Sequence, residues 1–549
     1  MTVALMAAGS RGGRRLAALA LALWLAGCAP GGPDLRDVRG GRGGTLRLAA
    51  ANDVRTLDNA IGYDTASWRF ERLIYDGLLN YDERDATLVP AIARALPTVR
   101  DGRVFTFHLR DDVYFHHGRR VVAGDFRYAL ERVLDPRNTS PAISLYEHIL
   151  GAKEFTAGRA RVVTGLRCPD DFTFEVELTK PDLAFLNVIS MPFAYAVPRE
   201  VVERYSLDDW PRHAVGAGPY RLAAWEPGRR LRVERFDRFY NGRRGRLGVV
   251  EQQFGIPEFM QLMMFERGQL DVTDIPLPDF ERVKASPRLA PCLRSMAENA
   301  IAYCSMNCEL PPFDNKQLRQ AFNYAVDKQQ IAKVLAGTAQ VATGVLPPGM
   351  PGYDPALRGY PHDPARARAL LAEAGFAQGL EVELTTRSRP AEQRWAEVIQ
   401  QNLEAVGVRC RMRAVAFPQW LDLSGKRRGL PFTINAWFQD YPDPSNFLDI
   451  LLHGGKITET NSNNRAFYNN QSVNRLLDRA ASMTDYEARL ALYREAERLV
   501  VDDAPWIFVY YPTRYVLVQP WVHGYRLHPV WSSREDLVWL GPPGKDATP

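Results

Sequence analysis

"TDYEARLALYREAERLV" (residues 484–500) and "WIFVYY" (residues 506–511) stand almost back to back, and together they decide the fold class. In the first, Thr484 and Glu487 are spaced as a capping box, and Leu490, Tyr493, Ala496 and Val500 recur on one helical stripe. In the second, aromatic and β-branched residues run unbroken, as in a strand. A capped helix feeding a strand means mixed α/β, neither bundle nor sandwich. The alternation continues outward. "GTLRLAA" (44–50), "VFTFHLRDDVYF" (104–115), "FTFEVEL" (172–178) and "RLRVERF" (230–236) read as strands. In "DPARARALLAEAGF" (363–376), Asp363 caps, Pro364 sits at the first helical position and Gly375 ends the helix. "DNKQLRQAFNYAVDKQQIAKVLAG" (314–337) reads as two helices, recapped at Asp327 and closed by Gly337.

The start of the chain addresses the compartment. Arg11, Arg14 and Arg15 precede an apolar run over residues 16–25, and "LAGC" (25–28) follows. This is the pattern of a secretory signal, too short to be a spanning helix. It also resembles a bacterial lipobox, in which Cys28 is lipidated and becomes the new N-terminus. Residues 1–27 would then be removed. "PGGPDLRDVRGGRGG" (30–44) reads as a flexible tether, so the expectation is a body leashed to a membrane by residues 28–44.

Charge and motifs exclude several classes. The 69 basic and 64 acidic residues give +5, and losing three arginines with the signal leaves 66 against 64, or +2. Near-neutral, evenly spread charge argues against nucleic acid as partner. No nucleophile elbow, zinc-protease helix, phosphate loop or dinucleotide fingerprint is present, so no enzyme is expected and no cofactor is implied. His116 and His117, adjacent in an extended run, point to opposite faces and do not share a metal. Five cysteines follow Cys28, and export permits disulfides, but Cys304 and Cys308 lack a second pair to complete a zinc site. Buried or disulfide-bonded cysteine is the reading. Roughly 520 mature residues exceed what one core supports, so two or more lobes are expected.

Five stretches then appear in a telling order: "TLDNAIGYDTASWRFERLIYDGLL" (56–79), "FTFHLRDDVYFHHGRRVVAGDFRYALERVLDP" (105–136), "GAGPYRLAAWEPGRRLRVERFDRFYNG" (216–242), "ERGQLDVT" (266–273) and "LRQAFNYAVDKQQI" (318–331). With these, nearly the whole mature chain resembles the oligopeptide- and dipeptide-binding proteins of ABC importers, bacterial extracellular solute-binding protein family 5. The resemblance implies a two-lobed periplasmic-binding-protein fold of class II, cluster C type, with an extra subdomain in lobe I. Lobe I would combine residues 45–85, 205–300 and 505–541, with the subdomain at 86–204 and lobe II at 301–504. A peptide would lie between the lobes, which close on it by hinge motion.

"INAWFQDYPDPSNF" (434–447) sets a lone acid, Asp440, among aromatic residues and before two prolines. By the resemblance, Asp440 pairs with the α-ammonium of a bound peptide, and Trp437 lines a side-chain pocket beside it. A carboxylate in a partly desolvated cleft holds an ammonium by charge-assisted hydrogen bonds. The competing reading is a turn-capping aspartate with Trp437 in the core. Thr65 falls where the family's first lobe meets the peptide backbone, and Arg72 matches an arginine of the same helix. Tyr303, Phe417 and Trp420 are the remaining candidates for side-chain pockets. The chain departs from the family pattern at Phe438, where some members have cysteine, at Ile434, where the oligopeptide binder has arginine, and in "DVTDIPLP" (271–278), which lacks an expected asparagine.

The reading implied is a monomeric, lipid-anchored receptor in the periplasm or at the cell surface. It would bind peptides and pass them to an ABC-transporter permease. A non-peptide solute (a metal chelate, an oligosaccharide or an opine) is one alternative. A signalling or adhesion lipoprotein that has lost transport is another.

Overall fold

The computed structural model describes Val38 and residues 41–543. The signal segment, Cys28 and most of the tether lie outside the described residues. The chain is a two-lobed α/β protein built on three principal sheets. In the first, Thr45–Ala49 pairs in parallel with Val249–Gln253, which continues antiparallel to Arg230–Arg235 and Tyr220–Glu226. The second is antiparallel, ordered Thr98–Arg100, Val104–His108, Thr173–Glu177, Leu166–Asp170. The third runs Val272–Asp274, Trp506–Val518, Ala300–Met306, Phe432–Phe438, Leu380–Arg387, Val408–Val415.

Each sheet faces its own core. Phe105, Phe107, Phe174 and Val176 of the second sheet pack with Phe126 and Leu130 of helix Ala123–Leu134. Leu46, Leu231, Val233 and Val250 of the first form another core with Phe70 and Ile74 of helix Thr65–Ile74. In the third, Leu380–Arg387 and Val408–Val415 are parallel neighbours joined by helix Pro390–Glu404, a βαβ unit.

One strand belongs to two cores. In Trp506–Val518, Trp506, Phe508 and Tyr511 pack in the second lobe, whereas Val516 and Val518 pack beside the first sheet. Its first half pairs with Ala300–Met306 and its second with Leu293–Ala297, both antiparallel. Two adjacent strands therefore carry the chain between lobes.

The helix Tyr486–Asp503 starts one residue later than its sequence suggests. Asp485, not Thr484, is the N-cap, and its side chain accepts from the Ala488 amide at 3.0 Å. A carboxylate is the stronger acceptor for a helix-end N–H, and the shift places Glu487 too early to complete a box. Leu490, Tyr493, Ala496 and Val500 are all buried. The strand expected over residues 104–115 stops at His108. Beyond it, Arg110 folds back onto Asp112 at 2.7 and 2.9 Å, a turn rather than a ladder. Asp363, Pro364, Asp327 and Gly375 hold their expected positions. All five described cysteines are free thiols.

Candidate functional site

The proline-framed turn separates two acids by role. Asp443 does the structural work. Its carboxylate accepts from the Ser445 amide at 2.9 Å, opening helix Ser445–Leu452, and takes a bidentate pair from buried Arg489 at 2.7 and 2.8 Å. Asp440 is left to face the cavity. Its Oδ2 accepts from Asn446 Nδ2 at 3.1 Å, and its own amide donates to Asn446 Oδ1 at 3.0 Å. Trp437 Nε1 donates to the same Asn446 oxygen at 3.1 Å. One fully buried asparagine thus fixes both the acid and the aromatic wall beside it.

The second oxygen of Asp440 is met from the other lobe. Tyr63 Oη donates to Asp440 Oδ1 at 2.5 Å. Tyr63 stands just before Asp64, which caps helix Thr65–Ile74 by accepting from the Ser67 amide at 2.8 Å. Its ring leans on Trp68 and Phe193, with centroids 5.7 and 5.6 Å away. Burial, reinforced by the Asp440 charge, raises the Tyr63 phenol far above its ordinary range, so it remains a donor. Burial likewise raises the Asp440 carboxyl, while the bonds from Tyr63 and Asn446 oppose that shift.

Asp440, Tyr63 and Trp437 line a cavity of about 520 Å³. Its walls come from both sides: Leu145, Lys180 and Asp182 from the residues around the second sheet, Asp449 and Lys456 from the second lobe. Tyr441, next to Asp440, packs into the core of the second sheet, so the lobes are closed on this space. Such a volume suits a small organic ligand, with a few polar groups to orient it.

Asp449 gives the cavity a titration of its own. Burial pushes its carboxyl up to about 7, opposed by the Tyr493 hydroxyl at 3.1 Å and by the Arg489 and Lys456 charges, and reinforced by Asp443. A folded value above the unfolded one means stability present below about pH 4 and lost as pH rises through 7. Asp449→Asn should therefore match the wild type in urea unfolding at pH 4 and exceed it at pH 8. An unchanged difference across that window contradicts the assignment.

Thr65 and Arg72 line a smaller pocket of about 70 Å³ with Trp68, Phe438 and Trp531. Arg72 is buried, donates to the Trp531 and Ser533 carbonyls at 3.3 and 3.0 Å, and lies 4.9 Å over the Trp531 ring. Tyr303, Phe417 and Trp420 stand outside the lining of the Asp440 cavity. Tyr303 stacks on Trp506 at 3.7 Å, and Trp420 donates to Thr433 Oγ1 at 3.0 Å. Phe417 is 46% exposed and stacks on Trp420. Tyr63 and Asn446 were not singled out by the sequence. The signal for Asn446 was its place in the same turn as Asp440; Tyr63 is brought to it from 377 residues away.

A two-lobed α/β scaffold with a cavity between its lobes is the architecture of an extracytoplasmic solute receptor. The chain belongs to the bacterial extracellular solute-binding proteins of family 5, whose model matches residues 87–459. It is 30% identical over 480 residues to heme-binding protein A of Haemophilus influenzae, covering 82% of this chain and 84% of that one. It is 26% identical over 476 residues to the dipeptide-binding protein of Escherichia coli, covering 83% and 87%. Among solved structures, it superposes on clavulanic acid biosynthesis oligopeptide binding protein 2 with a TM-score of 0.84 and 25% identity, covering 94% and 99%. It shares the fold of DppA from Helicobacter pylori in complex with peptide STSA, at a TM-score of 0.76 and 24% identity, covering 91% and 99%. Members of this family bind solutes rather than transform them.

Proposed function

We propose that this chain is a peptide receptor, tethered outside the cytoplasmic membrane by lipidated Cys28, that feeds an ABC importer. One observation carries the peptide reading. Asp440 presents a carboxylate to an interlobe cavity, while the neighbouring Asp443 performs the turn-capping that would otherwise explain an acid there. A carboxylate disfavoured by burial gains most from a ligand that brings a cation with several N–H donors, and a peptide's α-ammonium does so.

In this reading lobe I comprises residues 45–85, 205–300 and 512–541, with the subdomain at 86–204 and lobe II at 301–511; the last boundary lies beyond the one expected at 505 because Trp506, Phe508 and Tyr511 pack with Ile301 and Tyr303. The hinge lies near Asn299 and Pro512, where the paired strands pass between cores. Trp437 bounds the first side-chain pocket, and Thr65 offers backbone contacts from lobe I.

The test is native mass spectrometry of the protein purified without denaturation. Retained masses that fragment as short peptides with free N-termini support the reading. A retained ligand without a primary amine overturns it. For the anchor, Cys28→Ser should move the protein from the membrane to the soluble fraction with its fold intact. Unchanged partition after a salt wash rules that anchor out.

A further inference from the structure

Helix Glu258–Glu266 is apolar on its outer side as well as its inner one. At about 100° per residue, Gln261, Leu262 and Phe265 fall on one face, and Phe259, Met260 and Met263 fall on the other. The inner face is buried, with Leu262 and Phe265 packed among Leu270, Val283 and Leu517. The outer face is not. Phe259 is 59% exposed, the highest value of any large apolar side chain among the described residues, and Met260 and Met263 are 41% and 48% exposed. No other described helix exposes three such side chains. A surface helix ordinarily sets polar or charged residues there, so the pattern needs a cause outside the fold. Contiguous exposed apolar surface marks contact with a protein or a membrane.

The border of this face decides between them, because it is basic. Arg267 ends the helix, and Arg288 donates to the Glu266 carbonyl. Lys284 belongs to helix Phe280–Ala285, which shares the same small core. Arg294, just beyond that core, donates only to the Pro291 and Leu293 carbonyls, at 2.9 and 3.0 Å. Among the described residues none of these four cations pairs with a carboxylate. Arg282, by contrast, is neutralised by Glu266 at 2.8 Å and Asp279 at 3.0 Å. Only Glu258 and Glu281 stand unpaired on the acidic side.

The helix also runs back toward the tether. It begins just after the Ile256 amide bonds the Ala50 carbonyl at 3.1 Å, and it is followed by Asp271, whose amide bonds the Arg47 carbonyl at 2.9 Å. Its basic end therefore approaches the start of strand Thr45–Ala49, where the tether joins the body. With Cys28 lipidated, residues 28–44 reach at most about 60 Å at about 3.4 Å per residue, which keeps this face at high effective concentration beside the bilayer.

We infer that the face of Phe259, Met260 and Met263, with its basic border, rests on the anionic lipid surface of the membrane to which the chain is tethered. The apolar side chains enter the boundary between headgroups and acyl chains, and the cations meet lipid phosphates. The inference takes only the tether from the proposed function and is independent of what the cavity binds. Contact of this kind is reversible and salt-sensitive, so Cys28 stays the anchor and the face sets how the body stands on the bilayer.

Flotation of the chain carrying Cys28→Ser tests this, with vesicles of phosphatidylglycerol and phosphatidylethanolamine and, separately, of phosphatidylcholine. The chain should float with the anionic vesicles at low salt, float less with the neutral ones, and be released at high salt. Adding Phe259→Ser and Met263→Ser should weaken anionic binding about tenfold or more, because burying one such side chain contributes about that factor. Both positions are exposed, so Tm should not fall. Arg267→Gln with Lys284→Gln should lower the preference for anionic vesicles and leave binding to neutral ones unchanged. Absence of flotation with either mixture overturns the inference, as does equal flotation of the serine variant. A dimer seen in sedimentation velocity and lost in the serine variant assigns the face to a second copy instead, and binding confined to vesicles that carry a permease assigns it to that protein; either result overturns the lipid assignment. Each of these outcomes is read without the lipid anchor, so failure of the face leaves both the anchor and the peptide reading standing.

Discussion

Asp440→Asn lowers affinity for free-amine peptides by about 2–5 kcal/mol, or roughly thirtyfold to several-thousandfold. The substitution keeps the shape of the side chain and removes the charge. What remains is an amide between Tyr63 Oη and Asn446 Nδ2, both donors, with only one oxygen to serve them. The ligand's ammonium then meets a half-satisfied dipole in place of a carboxylate. Folding suffers less than binding, because burial already disfavours the Asp440 charge in the empty cavity. Thermal unfolding separates this account from a turn-capping role: the ligand site predicts a small change in Tm without ligand, and a turn cap predicts a large one.

Arg244→Met destabilises the fold by about 3–5 kcal/mol, the cost of breaking a buried ion pair from one side. Arg244 joins three distant segments. Its Nη1 donates to Asp76 at 2.7 Å and its Nε to Asp536 at 2.7 Å, and all three residues are buried. Asp536 keeps Arg534 at 2.9 and 3.0 Å, whereas Asp76 is left with the Tyr240 hydroxyl at 2.8 Å and the Gly77 amide at 3.2 Å. The uncompensated charge is therefore at Asp76. Urea unfolding should show the loss, and adding Asp76→Asn should recover part of it, since both changes act on one pair. A double variant as unstable as the sum of the two single ones would contradict this. The bridge also bears on the site, because it anchors the segment whose Trp531 and Ser533 carbonyls hold Arg72.

The fold was legible where local chemistry is self-sufficient. Asp363 with Pro364 and Gly375 marks a helix by backbone requirements alone. The period of Leu490, Tyr493, Ala496 and Val500 names its buried face. The first turn of that helix was misread because Thr484 and Asp485 are both good caps, and only folded geometry chooses between them. What no local pattern carries is the span of Trp506–Val518 across two cores. Its residues read as one strand, and their division between lobes depends on partners more than 200 residues away. The site divides in the same way. Asp440 and Trp437 stand out as polar and aromatic anomalies within one turn. Tyr63 looks like an ordinary surface residue until the chain brings it to an acid.

The most direct test of the ammonium site is calorimetry on four combinations: wild type and Asp440→Asn, each with a peptide bearing a free or acetylated N-terminus. If Asp440 pairs with the α-ammonium, either change alone removes most of the affinity, and both together cost little more than one. If Asp440→Asn binds the free-amine peptide as tightly as wild type, or if acetylation is equally harmful in both proteins, Asp440 is not the anchor.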